Sequence, residues 1–281
     1  MNMEDAGSGG TTMAIRVCVA GATGWTGGAA AKAILQSSEF ELSGAIARRT
    51  AGSDIGTVLG LSPTGVRIAA TLEDALVRPT DVLLDYTKPD SVKARVIQAL
   101  RAGLRVVIGT SGLTASDYDD IGREATARSL GVVAVGNFSI TAALAKHFAL
   151  FAARHLPSWE LLDYAQADKP DAPSGTVRDL AEELATAGSN QLGLAIEHVH
   201  GERQARGATI GGTQVHSIRL PGYGLSFEAI FGLPDERLTI RHDAGYGAGP
   251  YVAGTLLALR EVMHVSGLVR GLDRLLFREK Q

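Results

Sequence analysis

Residues 15–28 read IRVCVAGATGWTGG, and this stretch decides the fold. Ile15 to Ala20 is apolar and rich in β-branched residues, which predicts a strand, and Ala29 to Gln36 has the composition of a helix. Glycines between a strand and a helix permit a tight turn and the close approach of a pyrophosphate to the helix N-terminus. We interpret the segment as a dinucleotide-binding turn, with a merely structural turn as the alternative. The predicted cofactor-binding residues here are Gly21, Thr23, Gly24, Trp25, Thr26 and Gly27. Trp25 either shields the pyrophosphate or is a surface aromatic.

Short apolar strands alternate with helical segments up to about residue 138, which indicates βαβ units. We therefore predict the α/β class, with a Rossmann-type doubly wound parallel sheet and a smaller α+β domain for substrate binding and oligomerisation. The predicted strands are 15–20, 40–47, 82–86, 105–108 and 131–135, and the main helices between them are 29–36, 91–102 and 117–129.

The second half of the chain has a different pattern. Long helices at 142–155 and 174–187 precede alternating segments at 213–220, 225–231 and 237–242, which we predict to be antiparallel strands. A last helix, 251–265, returns to the first domain. The predicted divisions are a disordered leader at 1–13, a dinucleotide-binding domain at 14–138 completed by about 242–281, and a substrate and oligomerisation domain at 139–241.

Composition narrows the class of protein. The 281 residues carry a net charge of −3, with 45% hydrophobic and 20% charged residues, as in ordinary globular proteins. This near-neutral balance argues against a nucleic-acid partner. No apolar run is long enough for a membrane span, and a single cysteine excludes an internal disulfide and a cysteine-based zinc site. We expect a cytoplasmic protein with a small-molecule substrate and no membrane partner.

Two arginines suggest which dinucleotide binds. Folds that prefer NAD place a carboxylate at the end of the second strand, where it holds the ribose 2′-hydroxyl. Here that position offers Ala47 followed by Arg48 and Arg49, and guanidinium groups suit a 2′-phosphate. We predict NADPH as the cofactor, with NADH possible. The alternative is that both arginines are solvated surface residues.

A second anion site is predicted in the segment from Asp163 to Thr176, which reads DYAQADKPDAPSGT. Ser174 can begin a helix, so that the backbone of Ser174, Gly175 and Thr176 forms a nest for a substrate carboxylate. Lys169 lies just upstream and can donate a proton or hold a second carboxylate. The alternative is a capped surface helix after a proline-rich loop.

Several of these motifs together resemble the dihydrodipicolinate reductase family. The matching runs begin at Val19 (VAGATGWTG), Asp85 (DYTKP), Gly109 (GTSGL), Asn137 (NFS) and Lys169 (KPDAPSGT). The resemblance implies reduction of an imine in lysine biosynthesis, Lys169 as the proton donor, and Gly175 and Thr176 as substrate carboxylate ligands. It also implies a homotetramer. Residues implied along the nicotinamide half of the cofactor and the crossing between domains are Asp85, Tyr86, Thr87, Gly109, Thr110, Ser111, Asn137 and Phe138.

The chain departs from the family just before Lys169. The family has a His-His-Arg cluster there, whereas this chain has Ala165, Gln166 and Ala167. Fewer cations suit a substrate with fewer carboxylates or a larger apolar part, so we expect either an altered substrate or the lysine-pathway substrate itself, with Gln166 among the substrate-binding residues. The alternatives are a non-catalytic NADPH-binding sensor and an NADP-dependent amino-acid dehydrogenase.

The histidines elsewhere suggest no metal site. His198 and His200 are two residues apart, but no further ligand spacing accompanies them. We interpret His216 and His242, both in predicted strands, as packed or surface residues.

Overall fold

The computed structural model of the protein describes residues 13–278, so that only Met13 of the predicted leader lies within it. These residues form two sheets, one of seven strands and one of five. The seven-stranded sheet is parallel throughout, in the order β12-β6-β5-β4-β1-β2-β3. Its strands are β1 (Ile15–Ala20), β2 (Phe40–Ile46), β3 (Ile68–Ala69), β4 (Val82–Asp85), β5 (Arg105–Ile108), β6 (Gly131–Ala134) and β12 (Gly267–Arg270).

Helices cover both faces of this sheet, as the buried apolar strands require. Two core clusters lie on opposite faces of β1, one around Val17 and Val19 and the other around Cys18 and Ala20. This arrangement confirms the predicted α/β fold with a Rossmann-type sheet. The helices of the chain are α1 (Trp25–Leu35), α2 (Ile55–Val58), α3 (Leu72–Ala75), α4 (Pro89–Arg101), α5 (Ala115–Ala127), α6 (Ile140–Ala152), α7 (Gly175–Ala187), α8 (Gly249–Glu261) and α9 (Leu272–Leu276).

The five-stranded sheet has the order β11-β10-β7-β9-β8, and α6 and α7 pack on one of its faces. The three predicted strands are present, but their predicted antiparallel arrangement holds only in part. β10 pairs antiparallel with β11 and β7, whereas β9 pairs with β7 in parallel and does not touch β10. The strands are β7 (Ser158–Ala165), β8 (Ala208–Ile210), β9 (Thr213–Arg219), β10 (Leu225–Leu233) and β11 (Glu236–Ala244).

The central strand β7 is absent from the sequence prediction. Its inward face carries Asp163, which is 1% exposed, in a row with Trp159 and Leu161. A carboxylate on the apolar face breaks the alternation by which a half-buried strand is recognised.

The end of the chain returns to the first sheet, as predicted. α8 packs against α1, and β12 then pairs with β6 at the sheet edge. The helix ends at Glu261 and a short 3-10 turn, Val262–His264, follows it, so the predicted helix 251–265 is displaced toward the N-terminus.

Glycine is required at two positions of the first turn, because backbone atoms of other residues lie where a Cβ atom would be. A Cβ atom at Gly27 would stand 2.2 Å from the carbonyl oxygen of Gly21. Gly21 itself has a φ of +79°, and a Cβ there would stand 2.4 Å from the carbonyl oxygen of Tyr86. Because backbone atoms cannot move aside like a side chain, both positions exclude larger residues. α1 consequently begins at Trp25 rather than at Ala29, and Gly27 lies within its first turn.

We predict that Gly27→Ala destabilises the protein and weakens dinucleotide binding. Overpacking of this kind typically costs about 1–3 kcal/mol, and here it displaces the turn itself. Thermal unfolding and titration with NADPH measure the two effects. Gly193→Ala is the matched control, because a Cβ there meets no atom within 4 Å. Equal melting temperatures and NADPH affinities for the two variants would contradict the prediction.

Candidate active site

A cavity of about 230 Å³ lies where β1, β4 and β5 end. The carboxyl ends of parallel strands are the usual place for a ligand in an open α/β sheet. Most of the predicted cofactor-binding residues meet there: Gly24, Trp25, Thr26, Gly27, Tyr86, Thr87, Gly109, Thr110 and Ser111.

The start of α1 fits a pyrophosphate. Gly24 is the N-cap residue, no side chain caps the helix, and no acidic residue lies in its first turn. By contrast, α5 and α6 begin with side-chain caps from Thr114 and Ser139. The first N–H groups of α1 therefore keep their hydrogen-bonding capacity and their positive end of the helix dipole for a ligand.

Some predicted cofactor residues support the cavity instead of lining it. The Asp85 side chain is 0% exposed and accepts hydrogen bonds from the Thr87 backbone N–H (2.9 Å) and hydroxyl (2.6 Å). It also pairs with Arg95 at 2.7 Å. Phe138 is buried and packs edge-on against Tyr86. These contacts hold the loop after β4 in place.

Other predicted cofactor residues lie elsewhere. Gly21 lies beneath the turn, and Thr23 is exposed. Arg48 and Arg49 follow β2, and both are exposed, with no ion pair to another described residue. Their guanidinium groups are thus available to a phosphate at this edge of the sheet.

A second cavity, of about 300 Å³, lies between the two sheets. Ser111 lines both cavities, so that the two are adjacent. The predicted substrate residues Lys169, Ser174, Gly175 and Thr176 line this cleft, together with Asn137. Gln166, also predicted to bind substrate, is exposed and does not line the cleft.

Ser174 begins α7, as predicted, but its hydroxyl does not cap the helix. The hydroxyl donates to Asp163 at 2.7 Å, and the Ser174 N–H donates to the same carboxylate at 2.8 Å. No acidic residue lies in the first turn of α7. The first N–H groups of this helix consequently remain open for a carboxylate that enters the cleft.

Asp163 is itself held by Arg219, which sequence reasoning missed. The guanidinium group of Arg219 bonds the Asp163 carboxylate at 2.6 Å and the backbone carbonyl of Asp171 at 2.7 Å. Arg219 thereby ties Asp171, in the loop between β7 and α7, to the sheet. Lys169 projects from this loop, and its ammonium group contacts the Asp171 carboxylate.

His242 is a further cleft residue that sequence reasoning missed. It is 6% exposed and lines the cleft, so the interpretation of this residue as merely packed or on the surface is incomplete. Burial lowers the pKa of its imidazole, and the charge of Asp243 acts in the opposite direction. The only available sequence signal is its place in a strand, which does not tell which face it occupies. His216 lies outside the cleft and bonds Glu160 at 2.8 Å.

Among residues 13–278, no group of three or more His, Cys, Asp or Glu side chains could hold a metal ion. His198 ends a 3-10 turn, Ile196–His198, and no strand carries it together with His200.

Within the same residues, no helix has both the length and the apolar character needed to cross a membrane.

Comparison with known proteins identifies the family. The model of the dihydrodipicolinate reductase N-terminus matches residues 15–138, and that of the C-terminus matches residues 138–276. The 4-hydroxy-tetrahydrodipicolinate reductase of Moorella thermoacetica is 40% identical over 266 residues, which cover 93% of this chain and 98% of the relative. The enzyme of the same name from Synechococcus elongatus is 38% identical over 271 residues, with the same coverage.

A solved structure shares the whole architecture. Dipicolinate-bound dihydrodipicolinate reductase from Paenisporosarcina superposes with a TM-score of 0.81 at 31% identity, covering 93% of this chain and 99% of that one. Both halves of the chain, their order and the cleft between them are thus accounted for by one known architecture. The chain belongs to the dihydrodipicolinate reductase family of NAD(P)H-dependent oxidoreductases.

Proposed function

We propose that this protein uses NADPH to reduce the C=N bond of a substrate that carries a carboxylate. The observation that carries the proposal is the meeting of two uncapped helix N-termini at adjacent cavities. α1 offers its first N–H groups beside one cavity, and α7 offers its own beside the other. Lys169 lines the second cavity, which supplies a proton donor next to the carboxylate site.

The chemistry follows from these positions. NADPH, when bound, supplies the hydride that reduces the imine carbon. Gly175 and Thr176 hold the substrate carboxylate at the start of α7, and Lys169 delivers the proton to the imine nitrogen as the C=N bond becomes CH–NH. The Lys169 ammonium exchanges its contact with Asp171 for one with the substrate.

The cleft also suggests which substrate is reduced. Ala165, aligned with the family's first histidine, is 0% exposed and offers no polar atom. Both lysines of the cleft, Lys146 and Lys169, contact carboxylates of the protein. We therefore propose a substrate that carries one carboxylate. The alternative is the dicarboxylate imine of the lysine pathway.

Two expectations, a homotetramer from the resemblance and a cytoplasmic location from the composition, remain predictions. Sedimentation of the purified chain tests the first, and fractionation of the source cells tests the second.

The deciding experiment is NADPH oxidation at 340 nm with two substrates. One is dihydrodipicolinate, generated from pyruvate and aspartate semialdehyde, and the other is a cyclic imine that carries one carboxylate. Turnover of the monocarboxylate alone supports an altered substrate, whereas turnover of both supports the lysine-pathway reaction. Tight NADPH binding without turnover on either substrate or a wider imine panel would reject the reductase and favour a sensor.

We predict that Lys169→Ala lowers kcat by about 10²- to 10⁴-fold, the range typical for loss of a positioned acid or base. NADPH affinity should stay unchanged, because Lys169 does not line the cofactor cavity. Steady-state kinetics and NADPH titration measure the two quantities. Lys32→Ala, on the exposed side of α1, is the matched control. Full turnover in Lys169→Ala would show that another group supplies the proton.

Replacement of both Arg48 and Arg49 by alanine should weaken NADPH binding about tenfold or more, since hydrogen bonds to charged groups contribute roughly 1.5–3 kcal/mol. NADH affinity should change little, because NADH lacks the 2′-phosphate. Fluorescence titration with each nucleotide measures this difference, with the exposed Arg154→Ala as the control. Equal affinities of the unmodified protein for NADH and NADPH would refute a 2′-phosphate site.

Asp163→Asn should lower both stability and substrate affinity. Loss of one partner from a buried ion pair typically costs about 3–5 kcal/mol, and the start of α7 loses its anchor. The double variant Asp163→Asn with Arg219→Gln removes the unpaired charge, so part of the stability should return while substrate affinity stays low. Thermal unfolding and KM report on the two effects. Recovery of both quantities in the double variant would separate Asp163 from the carboxylate site.

A further inference from the structure

We propose that His242 binds the substrate through its Nε2 atom, at the end of the cleft away from the carboxylate nest. This inference rests on the proposed carboxylate site at α7 but not on turnover. His242 lies on β11, well separated in sequence from Lys169 and the nest, and it lines the same cleft as they do.

The sheet fixes the position of His242 relative to the nest. His242 on β11 pairs directly with Phe227 on β10, which pairs directly with Asp163 on β7. Residues directly opposite one another in a sheet point to the same face, so these three side chains form one row. Neighbouring strands lie roughly 4.8 Å apart, which places His242 about 10 Å from Asp163 across the ring of Phe227. A carboxylate-bearing ring is of suitable size to span this interval.

Hydrogen bonds fix the orientation of the imidazole. Its Nδ1 atom lies 3.2 Å from the Thr141 hydroxyl, which lies 3.1 Å from the Ser139 hydroxyl. The Ser139 N–H donates to the Asn137 side-chain oxygen at 2.9 Å, and the Asn137 amide donates to the Thr176 hydroxyl at 3.2 Å. A continuous polar chain therefore runs from the nest to His242 through the start of α6.

The Nε2 atom is the ring nitrogen that remains available to bind a ligand. No hydrogen bond joins it to another residue in the described part of the protein, and it is not among the fully buried polar atoms that lack a partner. A partly accessible ring nitrogen on a side chain that is 94% buried, in a residue that lines a cavity, faces that cavity.

The charge of the ring determines the chemistry of its ligand. Burial lowers the imidazole pKa, against the influence of Asp243, and so favours the neutral form of the ring. Thr141 and Phe227, which pack on it, bear no charge. The charged groups that share the cleft are Lys146, Asp163, Lys169, Asp171, Asp179 and Asp273. A neutral ring hydrogen-bonds an amide, hydroxyl or carbonyl group, whereas a second carboxylate calls for a cation. We infer a substrate with one carboxylate and, across the ring, a neutral polar group.

Two planar ring acids test this assignment on the full chain with NADPH present. Pyridine-2-carboxylate carries only the carboxylate, and 6-carbamoylpyridine-2-carboxylate adds a neutral amide across the ring. Calorimetry should give about fivefold or tighter binding of the amide probe to the unmodified protein, as one net hydrogen bond provides. His242→Asn keeps a polar atom near Nδ1 but loses Nε2, and it should bind both probes equally. His242→Gln reaches the Nε2 position and should retain part of the preference. His216→Asn, outside the cleft, is the matched control.

Each outcome decides the proposal. Equal weakening of both probes in His242→Asn would mark His242 as structural, and an unchanged preference would remove it from the ligand; either result overturns the proposal. So would equal binding, or no binding, of the two probes by the unmodified protein. NADPH affinity in each variant reports the integrity of the fold. The His242 imidazole NMR signal, assigned by its loss in His242→Asn, should shift with the amide probe in the unmodified protein. This test measures binding and not turnover, so a failure to reduce imines does not affect its outcome.

Discussion

The buried carboxylate of Asp163 organises the second half of this protein. It accepts hydrogen bonds from the backbone and the hydroxyl of Ser174 and pairs with Arg219, while Arg219 also holds the Asp171 carbonyl. A carboxylate removed from water requires such partners, because an unpaired buried charge costs several kcal/mol. The need to satisfy Asp163 fixes where the loop that bears Lys169 leaves the sheet and where α7 begins. The same bonds occupy the Ser174 hydroxyl, so the helix start stays uncapped for a ligand.

The two cavities have one structural feature in common, an uncapped helix N-terminus. Each is placed beside the N-terminus of a helix that has neither a side-chain cap nor an acid in its first turn. α1 follows a parallel strand, as in other dinucleotide-binding sheets, whereas α7 follows a loop that the contacts of Asp163 and Arg219 hold in position. Ser111 lines both cavities and the segment 137–139 passes between the halves. The proposed cofactor and substrate sites thus share Ser111 as part of their walls.

The first half could be predicted in detail because its signals are local. Ile15 to Ala20 and the glycines after it identify a strand, a turn and a helix without knowledge of any distant residue. β7 escaped prediction because Asp163 occupies an inward position that is satisfied by residues outside the strand, Ser174 and, 56 residues away, Arg219. His242 escaped for a related reason. Its role depends on register with Phe227 and on Thr141, 101 residues away, and no pattern within β11 reveals either contact.

The late return of the chain to the first sheet has a consequence for its synthesis. β12 pairs with β6 through Gly267 and Gly131, so the sheet that builds the cofactor cavity is completed by nearly the last described residues. During translation, the whole five-stranded sheet emerges before this strand does. Until then the edge of β6 lacks its partner, and such edges pair readily with other chains. Long-range parallel pairing is also slow to form. The nascent protein must therefore protect an incomplete nucleotide-binding sheet from the synthesis of β6 until that of β12, a period during which chaperones can act on it.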